Sequence, residues 1–242
     1  MPTKSMLSIR PNYEIATRYG SAWQIEILNA ARVPVVDLYG PEATGSNFFS
    51  AIEAQDPSIV NIFGHGNYNI IACQNGEIYL EGGVNTNVLS GRVVYDLSCR
   101  AGRDLANAAV NEGCISFLGY DEDFIFVVTK GNHPDGGMSN PLADEAARGF
   151  FESHNYAPIS YLKGSTISAS YSSSQNRFNY WIEVWNAIDS QVAGLLVWDR
   201  DHQVIIPIPT PPTPGGLAPL LLMFIPLLII PLSKYLKKAK TL

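Results

Sequence analysis

Histidine and cysteine are scarce in this 242-residue chain, four and three residues respectively, and no metal-ligand spacing joins them. Without a CxxC or an HExxH, no motif supplies a zinc ligand set, and neither a metal nor any other cofactor is expected. Cys73, Cys99 and Cys114 are too few and too irregular to form a disulfide framework. Cys73 and Cys114 lie in apolar surroundings and read as core thiols. Basic charge is also short. Sixteen Lys and Arg stand against 22 Asp and Glu, a net charge of −6 that argues against nucleic acid as a partner. The absence of a GxSxG elbow weakens a serine-hydrolase reading, and the serines at 168, 170 and 172–174 read as helix surface. Met1–Ser5 lacks the apolar stretch of a secretory leader, and nothing repeats at a solenoid period.

Apolar residues are plentiful. They make up 46% of the chain, enough for one sizeable core over residues 1–206. Ile59–Phe63 and Val93–Leu97 are short β-branched-rich runs, the pattern of parallel strands buried on both faces. The first run leads into Gly64-His65-Gly66, the second into Ser98-Cys99. Side chains just past the carboxyl ends of neighbouring parallel strands converge on one crevice. If these strands are neighbours, an imidazole and a thiol meet there, as a base and a nucleophile.

The remaining elements fit around that pair. Met6–Ile9 and Val33–Tyr39 read as strands, and Gly113–Tyr120 as a fifth. Tyr13–Ala31 carries Ile15, Tyr19, Trp23, Ile27 and Ala30 at helical spacing, which predicts one amphipathic helix. Ser46–Gln55, Gly102–Asn111, Pro141–His154 and Ser165–Ala187 read as further helices. Asn69–Cys73 and Ile78–Leu80 flank Asn75-Gly76, a tight-turn pair, and predict a hairpin walling the crevice. Leu195–Trp198 and Gln203–Ile206 read as a terminal hairpin or edge segment. Alternating strands and helices give an α/β three-layer sandwich with a mostly parallel sheet.

The chemistry follows from the pair. A thiol must lose its proton to attack a carbonyl, and His65 is placed to take it and return it to the leaving amine. The backbone N–H groups of Gly66 and Cys99 are candidate oxyanion donors. Asp121, Glu122 and Asp123 follow the fifth strand on the same carboxyl edge. His133, His154 and His202 sit in polar or helix-end settings and receive no role.

Beyond residue 206 the composition changes. Residues 207–216 (PIPTPPTPGG) form a charge-free, proline-rich linker. Leu217–Leu232 follows without a charge, and residues 217–236 approach the roughly 20 residues of a membrane span. Prolines 219, 226 and 231 are better tolerated there than in a soluble helix. Residues 237–242 are a basic tail. The expectation is a single-pass C-terminal anchor held in membrane lipid. Lys234, Lys237, Lys238 and Lys240 favour a cytoplasmic tail and an outer domain. The lack of a visible export signal points the other way.

Gly64-His65-Gly66 after Ile59–Phe63, and Ser98-Cys99 after Val93–Leu97, resemble the gingipain/caspase-like cysteine peptidases of clan CD. Gly113–Tyr120 (GCISFLGY) is similar to the corresponding strand in the gingipain-like and CHAT-like branches. The resemblance covers residues 9–128 and, more loosely, extends to 206. It implies a caspase-hemoglobinase fold, a dyad of His65 and Cys99, and a peptide or protein substrate. Several relatives that cut after Arg or Lys carry an acid two positions before the cysteine. Here that position is Leu97, with Asp96 one step earlier, and strand alternation turns Asp96 to another side. Asp96, Asp121 and Asp123 are therefore candidate substrate contacts, without a basic specificity carried over to Asp96. The expectation is a membrane-anchored cysteine endopeptidase working through an acyl-thioenzyme. Its rivals are an inactive tethered binding or signalling module and a transpeptidase or amidase.

Overall fold

The apolar runs become strands in the computed structural model, which describes residues 5–207. Strands β1 (Met6–Arg10), β2 (Val35–Tyr39) and β3 (Ile59–Phe63) open the chain, followed by β4 (His65–Asn67), β5 (Ile70–Ala72) and β6 (Ile78–Glu81). Then come β7 (Val93–Leu97), β8 (Ser116–Tyr120) and β9 (Gln203–Pro207). The helices are α1 (Ile15–Trp23), α2 (Ile25–Ala30), α3 (Gly45–Gln55), α4 (Asp104–Asn111), α5 (Glu145–Leu162), α6 (Ile167–Asn186) and α7 (Ser190–His202).

The main sheet has the order β2-β1-β3-β7-β8-β9. All neighbours pair parallel except β8 and β9. Every residue of β1, β3, β7 and β8 is buried, as strands covered on both faces require. Alternation sorts the side chains between two layers. Leu7, Ile9, Val60, Ile62, Val94 and Phe117 pack with Phe48 of α3 and Leu105 and Ala109 of α4. Met6, Ile59, Val93, Tyr95 and Leu118 face Ile27 of α2 and Ala157 of α5 on the other side. The predicted three-layer sandwich is the observed one.

Several local expectations are corrected. The helix predicted over Tyr13–Ala31 divides at Gln24, which is buried at the joint and accepts a hydrogen bond from Asn61 Nδ2 of β3 at 2.9 Å. The helix predicted to stop at His154 continues through Pro158 to Leu162. Tertiary contacts carry it on: Asn155 donates to the Trp23 carbonyl at 2.9 Å, and Ala157 is buried. Leu195–Trp198 belongs to α7 and not to a hairpin, because Ala193, Leu196 and Asp199, three residues apart, form its buried face. Gln203–Pro207 alone forms the edge strand. None of the described helices is long and apolar enough to cross a membrane. The predicted span 217–236, the basic tail 237–242 and the linker beyond Pro207 lie outside the described residues.

Candidate active site

The sheet brings the predicted pair to one place. β3 and β7 are adjacent and parallel, and their last aligned residues are Phe63 and Leu97. His65 and Cys99 each stand two residues beyond that pair, at the carboxyl edge. β1 lies on the other side of β3, and the chain reverses its strand order there, the position where open α/β sheets form a crevice. His65, Cys99, Phe63, Gly64, Leu97 and Ala16 of α1 line one slot of about 50 Å³. Phe124, Phe126 and Phe151 complete its wall.

The expected turn around His65 is more ordered than its sequence suggested. His65–Asn67 is itself a strand, β4, pairing antiparallel with β5 of the predicted hairpin. Glycine is needed on both sides of His65. A Cβ on Gly64 would collide with the Ala72 carbonyl oxygen. A Cβ on Gly66 would collide with the Cys99 carbonyl oxygen and lie 2.8 Å from Ser98 Cβ and 3.0 Å from Cys99 N. Close approach at Gly66 thus seats the histidine strand against the cysteine turn.

Glu14 is the residue that sequence reasoning missed. His65 Nε2 lies 3.2 Å from Glu14 Oε1, and the Tyr13 ring meets the imidazole edge-on at 6.0 Å between centroids. Glu14 caps α1, accepting from Thr17 N at 2.6 Å and Ala16 N at 2.9 Å. Thr17 Oγ1 accepts from Glu14 N in return, at 3.1 Å. Partial burial alone would raise the Glu14 pKa. The N–H donors of Ala16 and Thr17, the Thr17 hydroxyl and His65 outweigh it and hold the carboxyl below its ordinary value. A carboxylate on Nε2 favours the tautomer in which Nε2 carries the proton and Nδ1 the lone pair. The only signal in the sequence was Glu14-x-x-Thr17, a reversed capping box at the helix start.

Cys99 is half-buried, and the burial of its thiol pushes it up to about 11, with Asp123, Asp199 and Asp96 adding to the rise. A hydrogen bond from the Phe124 backbone N–H works against that shift. A thiol raised this far is protonated at neutral pH. Cys73 and Cys114 are free and buried, as the sequence predicts, and burial likewise raises their thiols, to about 11 and about 12.

The candidate acidic contacts lie outside the slot. Asp96 is fully buried and faces the α3–α4 side, away from the slot, accepting from Ser98 Oγ at 2.7 Å. Burial raises its pKa far above the carboxylate range. Asp121 sits 2.8 Å from His202 Nδ1, and Asp123 accepts from Arg100 at 2.7 Å. Glu122 is paired with Arg100 and Arg103. None of these carboxylates lines the slot. Of the histidines given no role, His154 is buried beside Tyr120, and His133 lies 2.9 Å from Asp135. A wider depression of about 540 Å³ adjoins the site through Tyr13 and Glu14 and is bordered by Arg18, His133 and Asp135. Another, of about 560 Å³, lies by α2, α5 and α6 around Glu26, Glu152 and Lys163; neither His65 nor Cys99 lines it.

No protein-family model matches this chain, and no curated protein is similar to it. Among solved structures it is similar to the complex of the pro- and mature domains of the gingipain RgpB from Porphyromonas gingivalis. The TM-score is 0.51 and the identity 9%, over 85% of this chain and 47% of that one. The fold is caspase-like. The chain spans about half the length of the gingipain structure, and at this identity the relation is one of fold alone.

Proposed function

We propose that the chain is a cysteine endopeptidase with Cys99 as nucleophile, His65 as general base and acid, and Glu14 orienting the imidazole. The observation that carries this reading is the shared slot. A thiol and an imidazole just past the ends of adjacent parallel strands line it, and a carboxylate lies 3.2 Å from the imidazole Nε2. Sγ attacks the scissile carbonyl carbon as its proton passes to His65 Nδ1. The resulting oxyanion is received by N–H groups of the Gly66–Cys99 contact. His65 then protonates the leaving amine nitrogen, the C–N bond breaks, and an acyl-thioenzyme remains. Water repeats the sequence: His65 takes its proton, the carboxylic acid departs, and the proton returns to sulfur. Peptide on either side of the bond has room in the depression that adjoins Glu14.

The apolar stretch 217–236 supports a membrane tether for this domain. Carbonate-resistant sedimentation of the full chain, lost on truncation at residue 206, would establish it. The raised Cys99 thiol favours a second reading, an inactive scaffold that binds partners on the same fold. The deciding experiment is incubation of the full chain with a peptide library, with products read by mass spectrometry. Cleavage lost in Cys99→Ala and in His65→Ala supports the enzyme; no cleavage, with partner binding intact in Cys99→Ala, supports the scaffold. Adding amine acceptors separates hydrolysis from transpeptidation.

A further inference from the structure

The slot beside Cys99 is small, apolar and walled by aromatic rings. Its lining residues other than His65 and Cys99 offer only carbon side chains or glycine. A water molecule needs about 10–15 Å³ of such volume, so about 50 Å³ holds about four non-hydrogen atoms. That fits the side chain of alanine, valine or, at the limit, leucine. An arginine side chain has too many atoms and would bury its guanidinium unpaired. An aspartate side chain would fit by volume but lacks a cation to meet it there. Arg100 and Arg103 are committed to Asp123 and Glu122 and to the Tyr68 ring.

The wall is held, so the slot has little freedom to widen. Phe126 packs on Phe151 at 4.7 Å between ring centroids, and Phe124 on Tyr120 at 5.0 Å and Phe151 at 5.7 Å. The segment that carries Phe124 and Phe126 is tied along its length. Asp121 N donates to the His202 carbonyl at 3.0 Å, and Trp198 Nε1 to the Asp123 carbonyl at 2.9 Å. Ile125 N donates to the buried Asp199 at 2.9 Å, and Thr129 N and Oγ1 donate to the buried Asp144 at 2.8 and 2.7 Å. Two buried acidic side chains thus accept from the backbone of this segment and help fix the wall.

We infer that the slot selects a small apolar side chain, of alanine to leucine size, immediately before the cut, with Phe124, Phe126 and Ala16 setting the limit. This rests on the peptidase reading above. The test is labelling of the full chain by tripeptidyl acyloxymethyl ketones that differ only at that residue: glycine, alanine, valine, phenylalanine, arginine or aspartate. Each forms a thioether at sulfur and expels a carboxylate, and mass spectrometry locates the label. Alanine and valine probes should modify Cys99 about tenfold or more faster than phenylalanine, arginine or aspartate probes. Ala16→Leu, on the partly exposed first turn of α1, should slow the valine probe while sparing the glycine probe. Phe126→Ala should admit the phenylalanine probe. Cys99 labelled fastest by the arginine or aspartate probe would overturn the specificity and leave the peptidase reading standing. No label on Cys99 from any probe would overturn both.

Discussion

The half-buried Cys99 thiol makes a quantitative prediction about reactivity at rest. With burial holding Cys99 at about 11, the thiolate fraction at pH 7 is about one in 10⁴. A thiol with its ordinary value near 9 would be ionised to about one in 10². The more basic thiolate is the better nucleophile, by roughly 0.4–0.5 logarithmic unit for each pH unit of basicity, which restores nearly tenfold. Folded Cys99 should therefore react with iodoacetamide about tenfold more slowly than the same residue in urea-unfolded chain, before restricted access slows it further. Its rate should climb about tenfold per pH unit and pass pH 10 without levelling. The assay is alkylation rate against pH for each cysteine, by mass spectrometry, in the full chain and in His65→Ala. A Cys99 rate that levels below pH 8 and loses that plateau in His65→Ala would refute the reasoning. It would mean a preformed thiolate–imidazolium pair, and attack would need no concerted proton transfer.

Other consequences are simpler to read. Glu14→Gln removes the negative charge from His65 but keeps a side-chain acceptor for the α1 cap. Peptidase kcat should fall by about 10²–10⁴, the range of a misoriented general base, while stability changes by less than about 1 kcal/mol. Gly66→Ala drives a methyl into the Cys99 carbonyl, so it should abolish cleavage and cost about 1–3 kcal/mol in urea denaturation. Asp199→Ala leaves Ile125 N without its acceptor and should destabilise by about 1–3 kcal/mol, while Asp199→Asn retains the acceptor and most of the stability. Cys114 is raised in the folded state to about 12. The folded chain therefore holds a proton that the unfolded chain has released, and stability must fall as pH rises from about 9 to about 12. The urea midpoint should drop across that window, and Cys114→Ala should flatten part of the drop.

Much of this was legible from one sequence, for a physical reason. Runs such as Ile59–Phe63 and Val93–Leu97 are apolar at every position, and only strands covered on both faces keep such residues out of water. Order, burial and the strand-end rule then placed His65 and Cys99 at one edge. Strand period alone turned Asp96 away from Leu97, and the fold places Asp96 on the α3–α4 side. The elements misread are those in which long-range contacts outweigh local pattern. Gln24 breaks a helix to meet Asn61, Asn155 carries another past its predicted end, and Asp199 turns a supposed strand into a helix face. Polar contacts between distant segments leave no period in the sequence to read. For the same reason Glu14, 51 positions before His65, stayed invisible, as did the pairing of Asp121 and Asp123 with His202 and Arg100. The sequence determined which residues could do chemistry and on which sheet edge they stand. Tertiary structure alone decided which carboxylate meets the histidine, how far burial raises the thiol, and how much room lies beside it. Each of those depends on which atoms approach within a few ångströms, and that is set by packing.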